Sequence, residues 1–190
     1  MTQPLRWGIL GTGMIAGKFA ADLSHTSQGS LIASGSRRQE TADSFAAEHG
    51  GRGIAGYDAL LNDPDVDAVY NSLPNGLHAE WSIKAMEAGK HVLCEKPMAR
   101  NAAEAETMFD AAERTTQLLV EAFMYRTLPA VQTLIEMVRG GALGQVKLIR
   151  SNFSFAREVL DGDARYQAAQ AGGALMDVGC YCVNLTRAVM

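Results

Sequence analysis

An α/β protein whose N-terminal part is a doubly wound parallel sheet is predicted from three observations. Short, nearly continuous apolar runs alternate with helical segments, a glycine-rich turn follows the first run, and the pattern changes after Pro129. The first run, Leu5–Leu10, reads as a buried strand, and a helix over Ile15–Leu23 follows the turn. Leu31–Ser34 is a second strand, Ala42–Glu48 lies in a second helix, and Tyr57–Leu61 is a short helical piece before the strand Ala68–Ser72. Ala79–Ala88 is a helix closed by Gly89, a C-terminal cap signal, and His91–Cys94 is again a strand. Asn101-Ala102-Ala103-Glu104 has the form of a capping box and opens a helix to about Arg114, after which Leu118–Ala122 is a strand.

Beyond Pro129 a helix over Ala130–Val138 ends at Gly140-Gly141. Val146–Phe155 then alternates with period two, the pattern of an antiparallel strand with one wet face. A loop with Gly172-Gly173 leads into an apolar helix from about Ala174, within which the sequence stops at Ala188-Val189-Met190. One strand and one helix do not make a stable second domain, so the chain is expected to be the N-terminal part of a longer protein. The expected division is residues 1–123 and residues 124–190.

Composition bounds the function classes. The chain has 190 residues, 47% hydrophobic and 20% charged, as in ordinary globular proteins. A net charge of −4 without a basic stripe argues against nucleic acid and anionic membrane as partners. No apolar run approaches the roughly 20 residues that cross a bilayer. No charged start leads into an apolar h-region, so no signal peptide is expected. Three cysteines, Cys94, Cys180 and Cys182, have neither disulfide nor zinc spacing; a reducing cytoplasm and no metal are expected.

Gly11-Thr12-Gly13-Met14-Ile15-Ala16 places a tight turn, a position of close approach and a third small residue at a helix start, where a pyrophosphate binds. A tight strand-to-helix connection would read similarly, but the position after the first strand favours the dinucleotide. Ser36-Arg37-Arg38 stands where NAD-binding sites usually carry an acid; two guanidinium groups and a hydroxyl suit a 2′-phosphate, hence NADP in preference to NAD. Two solvated arginines at a helix start are the plainer reading. Ser72-Leu73-Pro74-Asn75-Gly76-Leu77-His78 lies beyond a strand's carboxyl end, the ligand side of such sheets. There Asn75 has the alternative role of helix cap, and His78 that of a surface residue on the first helical turn.

Glu95-Lys96-Pro97 puts a lysine at the end of a buried strand beside a proline, a cation placed to polarise a carbonyl and lower a neighbouring phenol's pKa. Asp177 and Tyr181 are four residues apart, so one helix face carries a carboxylate and a phenol. Leu175, Met176 and Val178 imply that Asp177 is buried and needs a partner. A helix N-terminal acid and a core tyrosine would give the same spacing. Arg126 follows the strand Leu118–Ala122 and serves either a ligand or an ion pair.

Together these motifs, GTGMIA at 11–16, SLPNGLH at 72–78, EKP at 95–97, EAFMYR at 121–126 and GGALMDVGCY at 172–181, resemble the glucose–fructose oxidoreductase / inositol dehydrogenase / MocA (Gfo/Idh/MocA) family along essentially the whole chain. The resemblance is strongest to its sugar and dihydrodiol dehydrogenases, because the last motif ends in Tyr181 where inositol dehydrogenases have histidine. It implies an N-terminal Rossmann domain and the start of an α+β domain with a mostly antiparallel sheet, commonly the dimer interface of the full-length protein. It also implies a cis bond between Lys96 and Pro97. The implied activity is hydride transfer between a nicotinamide cofactor and a sugar, polyol or vicinal diol. Tyr181 would be the general acid–base, Lys96 would lower its pKa, and Asp177 would hold a substrate hydroxyl. Gly11, Thr12, Gly13, Met14, Ile15, Ser36, Arg37, Arg38, Ser72, Leu73, Asn75, His78, Glu95, Lys96 and Arg126 would contact the cofactor. A non-catalytic dinucleotide sensor and an inactive fragment are the rival readings; a sensor needs only the cofactor turn.

Overall fold

A computed structural model describes residues 3–156, 158 and 162–190. They form two compact units, Met1–Glu121 and Ala122–Met190. The first contains strands β1 (Leu5–Leu10), β2 (Gly29–Ser36), β3 (Arg52–Ala55), β4 (Ala68–Asn71), β5 (His91–Cys94) and β6 (Leu119–Glu121). All neighbouring pairs are parallel, in the order β3-β2-β1-β4-β5-β6. The order reverses between β1 and β4, and ligands of such sheets bind outside the carboxyl ends at that point.

Helices α1 (Met14–Leu23), α2 (Gln39–His49), α3 (Tyr57–Leu61), α4 (His78–Glu87) and α5 (Ala102–Thr115) connect the strands. The core is Leu10, Ala33, Leu60, Val69, Met86, Val92, Met108 and Ala111 with their neighbours, and β4 is buried throughout. Gly89 ends α4 with φ +79°; its N–H donates to Met86 O and that of Lys90 to Ala85 O, the two bonds of a Schellman ending. At α5, Asn101 Oδ1 accepts from Glu104 N at 3.0 Å, as the capping box predicts. The return bond differs, since Glu104 Oε2 accepts from Arg100 N, one residue upstream of the cap.

Strand β3 has no counterpart among the sequence-predicted strands. Ile54 is its one large apolar residue, and Gly53 is a poor strand former. The structure gives the reason: a Cβ at Gly53 would lie 2.6 Å from the Ala42 carbonyl carbon, so α2 packs directly on that backbone.

The second unit contains a 3₁₀ turn at Met124–Thr127, helix α6 (Pro129–Arg139), 3₁₀ turns at Ala164–Tyr166 and Ala168–Gln170, a π-helical stretch at Leu175–Gly179 and helix α7 (Cys180–Val189). The strand expected over Val146–Phe155 is not formed, and no antiparallel sheet exists among the described residues. A strand requires a partner for its N–H and C=O groups, and this unit offers none among the described residues. Among the described residues no helix is long and apolar enough to cross a membrane.

Two outcomes follow from the core. Met108→Ala, at a side chain with no exposure, is expected to cost about 2–5 kcal/mol, read as a lower urea midpoint at unchanged slope. Burial pushes the Cys94 thiol up to about 12, so its thiolate fraction at pH 8 is roughly one in 10⁴. Iodoacetamide at pH 8 should therefore label Cys94 only after unfolding, whereas Cys180 and Cys182, both half-buried, react in the folded chain.

Candidate active site

The first group of residues lies at the β1–β4 switch point. Gly11 has φ +94°, and a Cβ there would sit 3.1 Å from Ser72 Oγ and 3.3 Å from a Leu73 methyl. Both the conformation and the space therefore demand glycine. Gly13 is the N-cap of α1 and differs in kind: its backbone is extended, and a Cβ would meet no protein atom within 4 Å. The helix opens beyond Thr12 with no side-chain cap bond and no acid in its first turn, with Met14 and Ile15 exposed and Ala16 fully buried. A helix start of this kind offers backbone N–H donors to an anion, and the open space over Gly13 admits one.

At the end of β2, Ser36 is nearly buried while Arg37 and Arg38 are exposed, Arg38 being the N-cap of α2. Arg37 is close enough to Tyr57 to favour its phenolate, although burial, the larger effect, pushes that phenol up. Two exposed cations with no acid between them stand at this strand end.

Ser72 closes the switch point, its Oγ donating to Leu10 O at 2.7 Å and its N–H to the same oxygen. Behind it, Asn71 is fully buried; Nδ2 donates to Ser82 Oγ at 3.0 Å and to His78 O at 3.2 Å, and Oδ1 accepts from Leu73 N. His78, expected to contact the cofactor, with a surface residue on the first helical turn as the alternative, is 0% exposed. Its Nδ1 lies 2.8 Å from Pro97 O and its Nε2 2.7 Å from Leu73 O. Burial holds the imidazolium pKa below its usual value, against the pull of the two carbonyls. Asn75 does not cap α4; it opens a 3₁₀ turn, and the cap of α4 is Leu77.

Lys96 follows β5 in a loop pinned at several points. Glu95 N donates to Asn71 O, Glu95 Oε1 accepts from Tyr70 O–H at 2.6 Å, and Glu95 Oε2 accepts from Lys96 N at 3.1 Å. Glu121 Oε1 accepts from Met98 N at 2.8 Å. Tyr70 is itself stacked on Phe19, with ring centroids 4.1 Å apart. The Lys96–Pro97 bond is cis, as the resemblance implied.

In the second unit Arg126 is exposed in the 3₁₀ turn, with no ion pair among the described residues. Asp177 lies in the π-helical stretch and Tyr181 on α7, so the helix expected from Ala174 opens with a widened turn, a feature frequent at functional sites. Leu175 is exposed and Asp177 only half-buried, contrary to the full burial its apolar neighbours implied. Arg165 pairs with Asp177 (Nε to Oδ2, 3.4 Å), and the same guanidinium contacts Asp163. Tyr181 stands in an aromatic cluster with Phe123 and Phe153 edge-on at 5.3 Å and Tyr125 at 6.0 Å. Tyr125 in turn donates to Asn184 Oδ1.

The first unit thus brings together the Gly11 turn, the Ser72–His78 loop and the Glu95–Lys96 loop; the second brings together Asp177 with Arg165, and Tyr181 with its aromatic neighbours. Tyr70, Asn71, Ser82, Glu121 and Arg165 were not singled out in the sequence. Tyr70 and Asn71 did carry a signal, as polar atoms in a strand buried on both faces.

Two family models match: one described as an oxidoreductase family with an NAD-binding Rossmann fold over residues 5–123, the other as the GFO/IDH/MocA C-terminal domain over residues 131–190. Among curated relatives, a D-xylose 1-dehydrogenase (NADP(+)) of Haloferax volcanii is 42% identical over 96% of this chain and 56% of its own length. A trans-1,2-dihydrobenzene-1,2-diol dehydrogenase of Xenopus tropicalis is 32% identical over 97% of this chain and 56% of its own. The crystal structure of a 3-ketoreductase from Actinomadura kijaniata with NADP and TDP-benzene superposes with a TM-score of 0.81 at 37% identity, covering 94% of this chain and 55% of that one. An NAD-binding protein from Listeria innocua gives 0.84 at 27% identity over 96% and 53%. The chain spans little more than half the length of the curated relatives it matches.

The two glycines of the turn are expected to separate. Gly11→Ala should lower stability by about 1–3 kcal/mol, because the residue must leave φ +94° or displace Ser72. Gly13→Val should leave the urea midpoint unchanged while weakening dinucleotide binding about tenfold or more, measured by fluorescence titration.

Proposed function

The chain belongs to the GFO/IDH/MocA family of oxidoreductases, and from that premise we propose that its protein transfers hydride between NADP and a carbinol carbon of a sugar, polyol or vicinal diol. The products are a secondary alcohol and its ketone, or a sugar and its lactone. The observation that carries the reading is the anchored loop of Lys96 beyond the end of β5, on the same sheet edge as the Gly11 turn and the Ser72 loop. A sensor would need the turn but not a fixed lysine.

NADP supplies the hydride donor or acceptor. Residues 1–123 hold it: the pyrophosphate at Gly11–Ile15, the 2′-phosphate at Ser36, Arg37 and Arg38, and the nicotinamide toward Ser72–His78 and Glu95–Lys96, with Arg126 as a further contact. NAD is the weaker ligand, because a ribose hydroxyl leaves two guanidinium groups without an anion.

Residues 124–190 belong to the substrate and oligomerisation domain of a homo-oligomer in the full-length protein. Tyr181 is the general acid–base: as phenolate it takes the hydroxyl proton of the alcohol while the hydride goes to NADP, and in reverse the phenol gives that proton to the ketone oxygen. Lys96 stabilises negative charge on the reacting oxygen. Asp177, held by Arg165, accepts a hydrogen bond from a second substrate hydroxyl. Three free cysteines suit a reducing cytoplasm.

Fluorescence titration should show NADPH binding about tenfold more tightly than NADH, with Arg37→Ala/Arg38→Ala erasing most of the difference. Equal affinities in the parent chain would exclude the 2′-phosphate assignment. Lys96→Met should keep the NADPH Kd within about threefold while lowering turnover of a sugar or diol by about 10²–10³. Turnover at the parental rate in that variant would remove Lys96 from the mechanism.

A further inference from the structure

The His78 ring lies in the interior, between two backbone carbonyls. It has no exposed surface, and each ring nitrogen faces a backbone carbonyl, Pro97 O at 2.8 Å and Leu73 O at 2.7 Å. Carbonyl oxygens only accept, and a neutral imidazole carries one N–H. The ring therefore donates to one carbonyl at a time, unless it is charged in a place that disfavours charge. A side chain kept only to fill volume does not require this arrangement.

What the two contacts join is specific. Leu73 belongs to the loop after β4 and Pro97 is the residue after Lys96, so one ring spans the two loops at neighbouring strand ends. The ring's own position is fixed from behind, because Asn71 Nδ2 donates to the His78 carbonyl and to Ser82 Oγ, and Asn71, His78 and Ser82 are all fully buried. On the far side of Lys96, Tyr70 holds Glu95, whose second oxygen accepts from Lys96 N. Glu95 and Lys96 are the charged groups that act on the ring.

We propose that His78 is a positioning residue: it clamps the Lys96 loop to the Ser72–Leu73 loop, so that the ammonium group is held at a fixed distance from whatever the second loop contacts. This rests on the role given to Lys96 above. His78 has no exposed surface, and it acts through Lys96.

The test uses the 190-residue chain with its lysines ¹³C-dimethylated, the Lys96 signal being the one lost in Lys96→Arg. In folded His78→Phe, which keeps a ring and removes both contacts, the Lys96 signal should move. Turnover of the unmethylated full-length protein should fall about 10- to 100-fold, with NADPH Kd and substrate KM within about threefold. His78→Gln, which retains a donor, should restore at least half of each change. A Lys96 signal unchanged in folded His78→Phe would overturn the clamp, as would turnover losses that His78→Gln does not reduce. Should His78→Phe not fold, ¹⁵N spectra of the parent chain decide. A His78 ring N–H protected from exchange and coupled to the Pro97 or Leu73 carbonyl supports the clamp; one exchanging at the solvent rate overturns it. A full-length parent protein without turnover of any sugar or diol, whose Lys96 signal still moves in His78→Phe, would refute the oxidoreductase reading and leave the clamp standing.

Discussion

At the carboxyl ends of β4 and β5, polar side chains are sealed away from water, and each must find its partner inside the protein. Asn71, His78 and Ser82 have no exposed surface, and the bonds among them and to Leu73 and Pro97 leave the two following loops little freedom. Removing one partner from such a network leaves another buried and unsatisfied, a cost of about 1–3 kcal/mol. The loops that would face a ligand are thus held by the same bonds that make the interior tolerable. Rigidity at the sheet edge and satisfaction of the core are one problem with one solution.

The glycine turn shows the complementary principle. Gly11 is required by the protein, since Ser72 and Leu73 occupy the space a side chain would need. Gly13 is not, because nothing of the chain lies over it and a side chain there would meet open space. Ser72 joins the turn to the β4 end through Leu10 O, so the cradle and the Lys96 loop share one foundation. Arg37 and Arg38, exposed at the end of β2, put positive charge beside the same sheet edge.

In the second unit the organising features are electrostatic and aromatic. Asp163, Arg165 and Asp177 form a chain of alternating charge, which fixes Asp177 at the widened helical turn. Tyr181 is surrounded edge-on by Phe123 and Phe153, an arrangement that limits its rotation while its hydroxyl remains a polar handle. Leu134 and Met137 on α6, with Phe153 and Phe155 beyond it, are exposed apolar surface of this unit.

Sequence alone determined the α/β alternation, five of the six strands, the capped start of α5 and the glycine end of α4, because each is written in contiguous residues whose local chemistry is sufficient. It also located the turn at Gly11, the basic pair at Arg37 and Arg38, and Lys96, since glycine, charge and strand-end position are visible in one dimension. Strand β3 escaped because Gly53 answers to the backbone of α2, a neighbour not adjacent in sequence. The segment Val146–Phe155 has the alternation of a strand but no ladder partner among the described residues, so pattern without pairing did not make a strand. Tertiary structure alone decided that His78 is interior rather than surface, that Tyr70 holds Glu95, that Glu121 holds the Lys96 loop and that Arg165 faces Asp177. These are contacts between strand ends or turns that folding brings together, and a buried polar atom's partner is chosen by proximity in space.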